Sequence, residues 1–139
     1  MESNKKTKLI FRISTGLLIA LFIFNVSMYT LNTEMVRGWY NDLGFPIWII
    51  YPSALIKTLG MIAILSRKSK MLVEWAYSGF FFDVVFAIMA HTAVGQPVSE
   101  SFPAAFGVIL IIISRIYYGK VYGKLNYSEE IKQTKATSI

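Results

Sequence analysis

Two ionisable residues, Lys57 and Asp83, stand inside apolar segments of membrane length. A charge at bilayer depth costs ~2.5–3.5 kcal/mol even on lenient insertion scales, so an intramembrane ionisable residue is a functional-site candidate by default. The two have opposite signs and lie on consecutive segments, which defines a candidate buried polar centre. In a functional reading Asp83 accepts a proton or ligand and Lys57 anchors an anion. In a purely structural reading the pair fixes helix register and binds nothing, since desolvation offsets much of the attraction. Two further residues belong with the centre. His91, past Asp83 toward the outer end of its segment, is of the side-chain type suited to pass protons between the outer aqueous phase and Asp83; its plain alternative is an amphipathic boundary residue. Asn25, in the first segment, is a hydrogen-bond partner or simple interhelical glue. No catalytic residue can be assigned. One histidine, no cysteine and scattered acids supply no ligand set for a metal. Phosphate loops, dinucleotide fingerprints, nucleophile elbows and haem-attachment motifs are absent from the sequence.

These residues must be positioned by the apolar segments that carry them. Four runs, at about 9–31, 45–65, 71–91 and 102–118, approach the ~20 residues that cross a ~30 Å hydrocarbon core. They show no period-two alternation, and backbone groups in lipid must be satisfied within the segment, so helices are expected. The prediction is an all-α integral membrane four-helix bundle over residues 1–125, followed by a polar, mobile tail at 126–139. Asn41-Asp42-Leu43-Gly44 reads as a turn, with Pro46 in the first turn of the next helix, and Gly95-Gln96-Pro97 punctuates the third loop. Aromatic residues gather at both boundaries, as in interfacial belts. A cleaved secretory signal is disfavoured for the first run, whose apolar stretch is long and lacks a small-x-small site after it.

Charge gives the orientation. Of 14 basic residues, Arg37 lies in the outer loops and Lys57 in the membrane, while the rest flank the inner ends of the segments or fill the second loop. The positive-inside rule then places both termini in the cytoplasm. The net charge of +6 is spread over these flanks and forms no basic face with interleaved aromatics, so the expected partner is the lipid bilayer and nucleic acid is not.

Depth and spacing make a Lys57–Asp83 contact sterically reasonable. At ~1.5 Å per residue, Lys57 lies ~18 Å and Asp83 ~12 Å below the outer boundary, an offset within the reach of a lysine stem. Small residues flank both: Ala76, Gly79, Ala87 and Ala90 around Asp83, and Ser53, Ala54 and Gly60 around Lys57. Gly60 and Gly79 are therefore expected to permit close helix packing beside the pair.

The segments Leu43-Gly44-Phe45-Pro46, Lys57-Thr58-Leu59-Gly60 and Glu74-Trp75-Ala76-Tyr77-Ser78-Gly79-Phe80-Phe81-Phe82-Asp83, together with His91, resemble the DoxX-like family of small bacterial membrane proteins. The resemblance runs from about Leu9 to Tyr118, and Glu74–Asp83 is its most specific part. It implies four transmembrane helices in the inner (plasma) membrane of a bacterium. Related proteins include a membrane subunit of thiosulfate:quinone oxidoreductase, and others linked to redox stress. The resemblance therefore admits a quinone as cofactor and a membrane or redox protein as partner subunit, with this chain at most an accessory subunit. The residues themselves equally admit a small-solute or proton carrier, or a structural membrane scaffold. Substrate, partner and oligomeric state are not legible.

Overall fold

In the computed structural model, residues 2–138 are described, with side chains for 4–123 and 131–138. All elements among them are helical: α1 (Glu2–Leu31), α2 (Thr33–Asp42), α3 (Ile50–Ser66), α4 (Lys70–Ala93), α5 (Phe102–Tyr118) and α6 (Lys124–Thr137). Short 3-10 turns at Ile47–Ile49 and Val98–Ser101 lead into α3 and α5. Four stretches are long and apolar enough to cross a membrane: Asn4–Leu31, Ile47–Ser66, Lys70–Ala93 and Val98–Gly123. These are the four runs expected from the sequence; the first, third and fourth are lengthened, and the second is shifted toward the C-terminus. The fourth is extended because Gly119–Gly123 continues the helix as a π-helical stretch. The tail, read from sequence as polar and without periodicity, continues as helix α6. An even number of crossings puts both ends of the bundle on one side of the bilayer.

The spans form a ring in the order α1, α3, α4, α5, each packed mainly on its two neighbours. Helices α1 and α4 thus face each other diagonally, and Phe22 stacks on Phe80 between them with centroids 4.0 Å apart. Leu18, Ile64, Val73, Leu110 and Ile111 complete the central core. Lipid tails are as apolar as these side chains, so packing quality, rather than removal from water, decides how the helices associate.

Local chemistry sets the helix ends. Ser69 accepts a hydrogen bond from Leu72 N at 3.4 Å and caps α4. Arg67 closes α3 in the left-handed region (φ 52°), and its guanidinium bonds Tyr122 Oη at 2.8 Å. Gly44 and Gly95 take positive φ in the two outer turns, at 76° and 72°. Pro46 sits one place earlier than expected, capping the 3-10 turn. Helix α2 was not expected. Met35, Val36, Trp39 and Tyr40 recur at helical spacing, but ten residues are too few to cross a membrane and the stretch reads as a loop with boundary aromatics. Val36 is fully buried against Tyr29 and Ile50 and ties the helix to the end of the bundle away from the termini.

Candidate functional site

Lys57 projects from α3 into the half of the bundle away from the termini and is buried. Its ammonium donates hydrogen bonds to α1, at Asn25 Oδ1 (3.0 Å) and Tyr29 Oη (2.8 Å). Toward α4 it forms an ion pair with Asp83 Oδ2 at 3.3 Å. The same ammonium lies 5.0 Å from the Tyr29 ring centroid, adding a cation–π term. One side chain therefore ties three helices together, and these bonds offset the desolvation of a charge in a low-dielectric interior. Asp83 is held less fully: 37% of its side chain is exposed, against 9% for Lys57.

The array continues outward. Tyr29 Oη lies 2.9 Å from Tyr40 Oη, with either hydroxyl able to donate. Tyr40 belongs to α2, beyond the spans. Burial and then the neighbouring Tyr29 phenol raise its pKa above the ordinary 10.0. Asp83, Lys57, Tyr29 and Tyr40 thus form a connected polar path from within the spans to helix α2, with Asn25 beside it. Sequence reading placed Lys57, Asp83 and Asn25 together and missed both tyrosines. The available signal was spacing: Tyr29 follows Asn25 by four residues and so shares its helix face.

Three other expectations are resolved by the geometry. His91 bonds Gln96 Oε1 through Nδ1, inside the turn that closes α4, and forms no direct bond to Asp83. Gly60 marks a close approach: a Cβ there would meet the Phe80 ring at 2.8 Å. Gly79 does not, since nothing lies within 4 Å of its Cβ position. The expected packing role at Gly79 is corrected for a simple reason. Residues Ala76 and Phe80 of α4 are buried while Gly79 is exposed, so the bundle-facing stripe runs beside Gly79 rather than through it.

The half of the bundle nearer the termini has its own polar contacts. Ser114 is fully buried and bonds Thr15 at 2.7 Å and Tyr77 at 2.8 Å, joining α1, α4 and α5. Arg115 donates from Nε to Glu74 Oε2 at 2.7 Å. Among the described residues no group of three or more His, Asp or Glu converges as a metal site. At the Lys57 centre the ammonium is engaged within the chain by Asn25, Tyr29 and Asp83.

Neither a curated protein nor a solved structure matches the chain. The sequence profile of the DoxX-like family matches residues 13–113, a stretch that contains Asn25, Tyr29, Tyr40, Lys57, Asp83 and His91. That is well over half of the chain, and the four-span helical bundle agrees with it: the chain belongs to the DoxX-like family.

Proposed function

We propose that this multi-pass protein of the bacterial plasma membrane, with both termini cytoplasmic, exchanges protons through the Lys57–Asp83 centre. The observation that carries the reading is the unequal holding of the pair. Lys57 donates two hydrogen bonds to α1. Asp83 has the ion pair as its one polar side-chain contact among the described residues and is more exposed. A carboxylate held mainly by Coulomb attraction can be neutralised by a proton without dismantling the lysine's other bonds. Tyr29 and Tyr40 supply hydroxyls that lead from Lys57 toward the outer face. In this reading Asp83 is the proton acceptor, Lys57 sets its affinity and the tyrosines connect the centre to water. Any electron carrier would reside on a partner subunit.

The test is infrared difference spectroscopy of the reconstituted protein across a pH step. A carboxylic C=O band that disappears in Asp83→Asn, and shifts its midpoint in Tyr29→Phe, is the expected result. Retention of the band in Asp83→Asn, or its absence in the unsubstituted protein, would reject the reading. A dye assay of proton flux in vesicles then separates transport from local protonation.

A further inference from the structure

A second site lies in the half of the bundle nearer the termini, apart from the Lys57 centre. Between α4 and α5 a groove of about 270 Å³ opens on the outer surface of the bundle, lined in part by Glu74, Ser78 and Phe82 of α4 and by Ile112, Arg115 and Ile116 of α5. From Glu74 to Phe82 it extends ~12 Å at ~1.5 Å per residue. One leaflet of a ~30 Å hydrocarbon core is ~15 Å deep, so the groove matches a single leaflet. Its apolar walls are partly exposed, with Phe82 at 58% and Ile116 at 50%.

The polar end of the groove carries both signs of charge. Arg115 and Glu74 are paired through Nε and Oε2 at 2.7 Å, with side chains 39% and 34% exposed. Glu74 Oε1 and the outer guanidinium nitrogens of Arg115 take no hydrogen bond among the described residues. Gly119 leaves room for the guanidinium, since a Cβ there would stand 3.2 Å from Arg115 Nη1. The pair therefore presents an acceptor and a fork of donors side by side, at the terminus-side end of an apolar slot.

We propose that this groove binds one zwitterionic aminophospholipid from the leaflet on the side of the termini. The lipid phosphate takes the free Arg115 donors, the primary ammonium donates to Glu74, and an acyl chain lies along Phe82 and Ile112. The charge pattern selects this headgroup. A choline headgroup has no N–H to give Glu74, and a glycerol headgroup brings a negative charge without the compensating ammonium. Arg115 lies just beyond the stretch matched by the family profile, so the site joins a residue inside that stretch to one outside it.

The experiment is native mass spectrometry of the full chain released from vesicles holding equal amounts of phosphatidylethanolamine, phosphatidylcholine and phosphatidylglycerol with identical acyl chains. The unsubstituted protein should retain one phosphatidylethanolamine at about tenfold preference over either competitor, the difference of one to two charge-assisted hydrogen bonds. Glu74→Gln and Arg115→Gln should each bring that preference near unity. Ser78→Trp, which fills the middle of the groove, should remove the retained lipid, while Leu59→Trp on the far lipid-facing surface should not. Thermal unfolding identifies any variant that fails to fold, and the near-isosteric glutamine variants carry the test if the tryptophan variant does. Equal retention of the three lipids, a preference for phosphatidylglycerol, or an unchanged preference in the glutamine variants would each overturn the proposal.

Discussion

Lys57 and Asp83 meet at 3.3 Å across the α3–α4 interface, yet the lysine's hydrogen bonds run to α1. The pair is thus one edge of a three-helix junction. Removing either member does not undo the same set of contacts, and this asymmetry is measurable.

Asp83→Leu should cost about 3 kcal/mol, the low end of the ~3–5 kcal/mol for breaking a buried pair, because Lys57 keeps Asn25 and Tyr29. Lys57→Met should cost at least as much, because it leaves the Asp83 carboxylate without a counter-charge and also frees Asn25 and Tyr29. The double variant should recover most of the loss, with a coupling energy well above the ~0.5 kcal/mol scatter of independent sites. Reversible unfolding in detergent gives all four values. Recovered stability without recovered proton exchange assigns the pair a functional role beyond register. Additive losses would show that the pair is not coupled.

The glycines give a sharper test of packing. Gly60→Ala should lower stability by ~1–3 kcal/mol, because the added methyl meets a Phe80 ring that is itself stacked on Phe22 and cannot easily yield. Gly79→Ala meets nothing and should be neutral or stabilise by up to ~1 kcal/mol through helix propensity. Thermal unfolding of the two variants in one detergent decides the matter. Equal losses would return Gly79 to the packing face.

The span positions were legible because hydropathy over ~20 residues depends only on composition. The Lys57–Asp83–Asn25 grouping was legible because a charge in lipid demands partners and helix rise sets depth. Helical phase was harder to read. Gly79 and Ala76 share a nominal face, but which edge of that face meets α3 depends on packing against Phe80. Tyr29 and Tyr40 were hidden among boundary aromatics, where an anchoring ring and a hydrogen-bonded ring have identical sequence signatures. Helix α2 carries apolar residues at helical spacing, but it is too short to read as a span, and the burial of Val36 that fixes its place is a tertiary contact.

Topology can be tested in this cysteine-free chain with single cysteines at exposed sites. Lys68→Cys is preferable to a change at Ser69, whose side chain caps α4. In intact cells an impermeant thiol reagent should label Ser99→Cys and spare Lys68→Cys, because the basic residues cluster on the side of the termini. The reverse pattern would invert the assignment.

The outer end of the polar path should reveal itself in alkali. Tyr40 has its pKa raised above 10.0, first by burial and then by the Tyr29 phenol, so folding favours its protonated form. The sign follows from linkage: a raised pKa contributes stability that is complete below the unfolded value and is lost as pH climbs past 10.0 through the folded value. Tyr40→Phe removes the 2.9 Å bond to Tyr29 and should cost about 0.5–1.5 kcal/mol at neutral pH. Above pH 10.0 the unsubstituted protein loses the Tyr40 contribution and the phenylalanine variant has none to lose, so the gap between them should narrow. Denaturant unfolding of the pair on either side of that pH provides the measurement. A gap that stays constant would show that the Tyr40 proton is not held by the folded outer end.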